Sequence, residues 1–152
     1  MSNQIICGGA LETLRALPGE SVNCCITSPP YYGLRDYGVD GQIGLEQAPD
    51  EYIARLVEVF REVRRVLAGD GTLWIVIADS YAGSGKATSP EVQNKQSYIY
   101  TRDNPAAKLP KTWMGIKPKD LVGVPWALAF ALRDDGWYLR SAIIWHKPNP
   151  LP

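Results

Sequence analysis

A chain of 152 residues is long enough for one domain with a real core, and its 16 Lys/Arg balance its 16 Asp/Glu, so no overall basic excess marks it as a nucleic-acid binder. Three cysteines, Cys7, Cys24 and Cys25, argue against a disulfide framework, and a single His without ligand spacing argues against a metal site. No signal peptide is visible and no apolar run approaches the length of a membrane span, so the reading is a reduced, cytoplasmic protein whose cysteines are buried as small apolar residues.

In chain order, "QIICGG" reads as a short buried strand stopped by glycines. "ALETLRALPGE" predicts a two-turn helix with Leu11, Leu14 and Leu17 on one face, ended by Pro18 and Gly19. "SVNCCIT" predicts a second strand, apolar on both faces as in a parallel sheet, and residues 28–49 a long loop rich in Gly and Tyr. "DEYIARLVEVFREVRRVLAGDG" carries Ile53, Leu56, Val57, Phe60, Val63 and Leu67 at helical spacing, with Asp50 as N-cap and Gly69 as stop. "TLWIVIAD" predicts a third strand. Residues 80–119 lack periodicity and predict a long loop, and residues 86–119 hold seven Lys/Arg against two Asp/Glu, a locally basic stretch suited to phosphates or simply to solvent. "DLVGVPWALAFALRDDG" predicts a helix with Asp120 as N-cap and Pro125 as a source of a kink, and "WYLRSAIIWHKP" a last strand. The alternation predicts an α/β parallel sheet of about four strands with flanking helices, in which ligands bind beyond the carboxyl ends of the strands. Residues 28–32, 79–86 and 145–149 are expected to meet there.

The stretch "TSPPYYG" stands at one of those ends. Pro29 and Pro30 have no backbone N–H, and each pushes the residue before it to extended geometry. Ser28, Pro29 and Pro30 therefore form a stiff rod with carbonyls and few donors, followed at once by the rings of Tyr31 and Tyr32. Such a rod accepts hydrogen bonds from something flat. It is also read as a plain strand terminator with packing tyrosines, or as a Pro-Pro-x-Tyr ligand of a WW-type module. The WW reading needs an exposed, flexible segment, whereas here a buried strand feeds straight into the motif.

A strand ending in Ser-Pro-Pro-Tyr resembles the catalytic motif of the DNA amino-methyltransferases, Asp/Asn/Ser-Pro-Pro-aromatic. "IICGGALETLRALPGESVNCCITSPPYYGLRDYG", "GDGTLWIVIADSYAG" and "GWYLRSAIIWHKPNP" resemble, in order, the β-type members, many of them borne by phages or prophages. The resemblance implies an S-adenosylmethionine-dependent, Rossmann-like fold and methyl transfer to the exocyclic amine of a flipped base in double-stranded DNA, in a bacterial or phage-infected cell, as in restriction-modification. It assigns catalysis to Ser28, Pro29, Pro30 and Tyr31, and cofactor contact to Gly9, Ala10, Ser28 and Asp79, with cap or turn duty as the other reading of Asp79. Tyr32 and Trp145 are candidates for DNA or base contact, with core packing the plainer reading of Trp145, and the charges of Arg35, Lys117 and Lys119 make them candidates for phosphate contact. Ser28 at the first position of the motif implies cytosine N4 ahead of adenine N6.

Two departures qualify the resemblance. The family often has Gly-Asp where this chain has Gly8-Gly9. "AGSGK", residues 82–86, fails as a P-loop, comes closer to the family's Gly-rich cofactor loop but stands far from that loop's usual place, and otherwise reads as a flexible turn. Residues 1–152 read as one partial catalytic domain, with the recognition region and the Gly-rich loop lying elsewhere. The different-class alternative is a non-catalytic remnant, or one half of a split enzyme, that binds DNA or a partner chain. Alone, the chain is expected to bind cofactor weakly, to transfer no methyl group and to self-associate through an exposed sheet edge.

Overall fold

The computed structural model describes residues 3–46, 48–81 and 120–149. The elements are α1 (Ala10–Ala16), β1 (Val22–Thr27), α2 (Pro49–Val66), β2 (Leu67–Ile75) and α3 (Val124–Asp134). β1 and β2 are parallel, with Cys24 opposite Thr72, Cys25 opposite Leu73, Ile26 opposite Trp74 and Thr27 opposite Ile75. A parallel pair needs a long crossover, and α2 supplies it.

α2 is helical because its apolar residues recur every three or four positions. Tyr52, Ile53, Leu56, Val57, Phe60 and Val63 are buried on one face. Asp50 is not its cap: Ala48 holds that position, Pro49 takes the first turn where its missing N–H costs nothing, and Asp50 and Glu51 lie in the turn where carboxylates favour the helix dipole. The helix ends at Val66, earlier than Gly69, because Leu67 turns extended and opens β2 directly. Gly69, expected to stop the helix, lies in a bulge instead. Val22 pairs with Leu67 but Cys24 already pairs with Thr72, so the intervening residues of β2 loop out of register. A Cβ on Gly71 would stand 2.9 Å from the Ala68 carbonyl oxygen, which keeps that position a glycine.

The buried face of α2 forms the core with Val124, Leu128 and Leu132 of α3, and Cys25, Leu73, Ile75 and Ile77 pack against it from the sheet. Arg61 pairs with the Asp135 carboxylate at 2.6 Å just past α3, and Arg64 donates to the Asp135 carbonyl. Arg65 donates to the carbonyls of Leu14 (2.7 Å) and Leu17 (3.1 Å), tying the end of α1 to α2. Pro125 does not kink α3, because it falls in the first turn, and Gly123 takes the N-cap expected of Asp120 in a left-handed conformation at φ 84°.

Among the described residues the sheet has two strands, against about four expected. "QIICGG" and "WYLRSAIIWHKP" are apolar enough for strands, but neither pairs with an edge of β1 or β2, and Ile5 and Ile144 are exposed. An apolar run becomes a strand only where a neighbouring edge takes up its backbone groups. The sheet face carrying Cys24, Ile26, Thr72, Trp74 and Val76 is exposed. Cys7 and Cys24 are exposed and only Cys25 is half-buried, correcting the expectation of three buried thiols. Burial pushes the Cys25 thiol up, with Cys24 beside it adding to the shift. No described helix is long and apolar enough to cross a membrane.

Candidate active site

The rod begins where the ladder ends. The Thr27 carbonyl accepts the Val76 N–H at 2.9 Å, one step beyond the last strand pair, so Ser28 leaves the carboxyl end of β1 beside that of β2. Pro29 is buried, Pro30 and Tyr31 are half-buried and Ser28 is exposed. Pro29 and Pro30 offer no N–H, so the rod is held mainly through its carbonyls. The Pro30 carbonyl accepts the Tyr52 phenol at 2.7 Å, across 22 positions of sequence. The Tyr31 carbonyl accepts the Leu34 N–H at 3.2 Å, which closes a turn. Among the described residues no donor reaches the Pro29 carbonyl. The Ser28 and Tyr31 hydroxyls face one another at 3.5 Å, a long contact.

A second segment closes over the rod. Gly44 has φ 107°, and a Cβ there would lie 3.1 Å from the Tyr31 carbonyl oxygen. The Gly33 N–H donates to the Gly44 carbonyl at 2.8 Å, and the Gly44 N–H donates to Glu46 Oε2 at 2.8 Å. Glu46 Oε1 pairs with Arg55 at 2.9 Å, and Arg55 also donates to the carbonyls of Gly41 (2.6 Å) and Gln42 (3.1 Å). Tyr52 and Arg55 are three residues apart and so neighbour one another on α2. One turn of helix thus holds both the rod, through Tyr52, and its covering loop, through Arg55.

Tyr32 packs on Tyr52 with ring centroids 5.5 Å apart and is 6% exposed, so its ring belongs to the core and does not face a surface that DNA could reach. Burial, reinforced by the carboxylates of Glu46, Asp50 and Glu51, pushes the Tyr32 phenol up to about 12. Burial, then Glu46 and Tyr31, pushes the Tyr52 phenol up as well. Both remain neutral, and Tyr52 remains a donor, throughout the ordinary pH range.

Asp79 caps α3. Its Oδ1 accepts the N–H groups of Ser80 (2.8 Å), Gly123 (3.0 Å) and Val124 (3.1 Å), and its Oδ2 that of Gly123 at 2.9 Å. Of its two readings, the structure displays the cap. Gly9 and Ala10 lie exposed at the start of α1, where the Gly9 carbonyl accepts the Thr13 N–H at 2.9 Å. Arg35 is exposed, and its carbonyl accepts Gln42 Nε2 at 2.9 Å. Trp145 is 72% exposed, and among the described residues it neither ends a strand nor packs in the core. Lys117, Lys119 and "AGSGK" lie outside the described residues, as does the whole basic stretch 86–119. A hollow of about 460 Å³ in the covering loop is lined by Asp36, Asp40, Glu46 and Arg55. Its acidic wall suits no phosphate.

Sequence reasoning missed Tyr52, Gly44, Glu46 and Arg55. Tyr52 occupies an apolar helical position and reads as core, yet a buried tyrosine must find a partner for its hydroxyl. The signal was there, but nothing in the spacing names the partner.

A strand ending in a proline rod and backed by a crossover helix defines an α/β protein with a candidate site at the strand ends. A family model described as DNA methylase matches residues 22–152, and the chain belongs to this DNA methylase family. It is similar to the Type II methyltransferase M.SmaI of Serratia marcescens, with 51% identity over 152 residues, 99% of this chain and 50% of that protein. It is similar also to M.Cfr9I of Citrobacter freundii (51% over 146 residues) and M.XycI of Xanthomonas campestris pv. cyanopsidis (52% over 146 residues), in each case over 95% of this chain and 46% of the relative. The chain thus spans about half the length of these curated relatives. No solved structure matches it significantly.

Proposed function

We propose that the chain carries the catalytic motif of a DNA methyltransferase that moves a methyl group from S-adenosylmethionine to the exocyclic amine of a flipped base, cytosine N4 ahead of adenine N6. The observation that carries this reading is the state of the carbonyls. Those of Thr27, Pro30 and Tyr31 have internal donors, whereas none among the described residues reaches those of Ser28 and Pro29. The Pro29 carbonyl and the exposed Ser28 hydroxyl are then the acceptors for the two N–H groups of an amine. Accepting both draws the nitrogen toward tetrahedral geometry and withdraws its lone pair from the ring, in a setting organised beforehand. The methyl donor supplies an electrophilic carbon on a sulfonium. The ring of Tyr31, half-buried at the end of the rod, stacks on the base, which must leave the duplex to reach it.

Gly9, Ala10 and Ser28 are proposed to hold the cofactor. The chemistry at Gly9 fits: the Glu12 carboxylate lies in contact with the place a Cβ on Gly9 would take, so an acid stands there although the residue is glycine. Asp79 enters the proposal through the cap, which anchors α3 beside the end of β2. Arg35, Lys117, Lys119 and Trp145 are proposed to meet DNA.

Nucleoside mass spectrometry of DNA incubated with S-adenosylmethionine and the complete gene product tests the reading. N4-methylcytosine is expected. N6-methyladenine alone overturns the choice of base, and no methylated base overturns the enzyme. The bare face of the sheet, with Ile26 and Trp74 exposed, favours a second reading in which another chain covers it. A strictly monomeric protein in sedimentation at high concentration removes that reading. The Pro-Pro-x-Tyr ligand reading is disfavoured, since Pro29 and Tyr32 are buried.

A further inference from the structure

Two consecutive proline carbonyls, of Pro29 and Pro30, lie in the rod, and an incoming amine has no intrinsic reason to choose between them. Tyr52 removes the ambiguity. Its hydroxyl reaches the Pro30 carbonyl at 2.7 Å from a ring that is 0% exposed. A fully packed ring cannot swing aside, so the donor is fixed where the core fixes it. The core does so from several directions. Tyr32 lies against the ring at 5.5 Å, and Leu56 and Phe60 lock the same helix into the cluster with Val124 and Leu128 of α3. Gly44 bounds the rod through its approach to the Tyr31 carbonyl.

We infer that Tyr52 is a positioning residue for the Ser28-Pro29-Pro30 rod: by occupying the Pro30 carbonyl it fixes the rod against α2 and leaves the Pro29 carbonyl as the acceptor offered to the substrate amine. The inference rests on the methyl-transfer reading above. The raised pKa of the phenol is consistent with it, because the donor then stays protonated wherever the site works.

Replacing Tyr52 by Phe in the complete gene product removes one oxygen and keeps the ring. Methyl transfer is measured as kcat and as KM for DNA and for S-adenosylmethionine, at a temperature where circular dichroism shows wild type and variant equally folded. The expected result is a loss in kcat of roughly tenfold with both KM values nearly unchanged, equivalent to about 1.4 kcal/mol of barrier. A second variant with 4-aminophenylalanine at position 52 restores a donor and is expected to recover most of the loss. A kcat for Tyr52→Phe within about twofold of wild type overturns the inference, as does failure of the amino variant to recover it. A Tyr52→Phe protein that does not fold also overturns it, since the hydroxyl would then serve the fold and not the rod. An inactive wild type is a different result: it rejects methyl transfer itself.

Discussion

Tyr31 and Tyr32 are adjacent and chemically identical, yet the structure gives them opposite duties. Tyr32 is buried on Tyr52, whereas Tyr31 is half-buried where the rod ends. A turn starts between them, closed by the Tyr31 carbonyl and the Leu34 N–H, and Tyr32 is the one that packs on Tyr52. Tyr31→Ala is therefore expected to weaken DNA binding with little change in stability. Stacking of a base on an aromatic ring is worth about 1–3 kcal/mol, so the dissociation constant should rise on the order of ten- to a hundredfold. Fluorescence anisotropy with a labelled duplex measures it, and unchanged affinity would remove Tyr31 from the base pocket. Tyr32→Ala should behave in the opposite way, losing stability first.

α2 does more than cover the sheet. Its first turns present Tyr52 to the rod and Arg55 to the covering loop, and its last turn presents Arg61, Arg64 and Arg65 to the ends of α3 and α1. The apolar spacing of this helix was plain in the sequence, and so was the rod, because periodicity and proline stiffness are local properties. Its boundaries were less plain. Asp50 and Gly69 are the right residue types for a cap and a stop, but Pro49 and the immediate turn into β2 decided otherwise. The two outer runs read as strands that the structure does not pair, for a different reason: pairing depends on an edge elsewhere in the chain, and the apolar spacing of "QIICGG" does not say whether one takes it up. Asp79 shows the same limit, since its helix partners lie 44 and 45 positions away. Asp79→Ala leaves the N–H groups of Gly123 and Val124 without their acceptor, and a lost helix cap costs about 1–2 kcal/mol. Urea unfolding should show a lower midpoint with an unchanged slope. An unchanged midpoint would mean that the cap contributes nothing to the fold.

At the scale of the molecule, stability at high pH follows from the buried tyrosines. The folded-state pKa of Tyr32 is raised to about 12 from 10.0, and that of Tyr52 is raised further. Below pH 10 both phenols are neutral folded or unfolded, so their contribution is fully present. Between pH 10 and about 12 the unfolded chain ionises first, and stability falls. Thermal melts should be flat in this respect up to the lower limit and decline above it, with tyrosine absorbance rising together with unfolding. Tyr32 and Tyr52 ionising freely near pH 10 in the folded protein, tracked by replacing each in turn, would contradict this packing.

The central claim is that a DNA methyltransferase works through acceptors on the Ser28-Pro29-Pro30 rod. Transfer of a labelled methyl group from S-adenosylmethionine to duplex DNA in a single turnover, by the complete gene product and by its Ser28→Ala variant, tests it most directly. The predicted result is label on an exocyclic amine with wild type, and a rate lower by on the order of a hundredfold with Ser28→Ala, the effect typical of removing one preorganised partner at a reacting centre. A wild type that transfers no label, or a Ser28→Ala variant that transfers it at the wild-type rate, would contradict the claim.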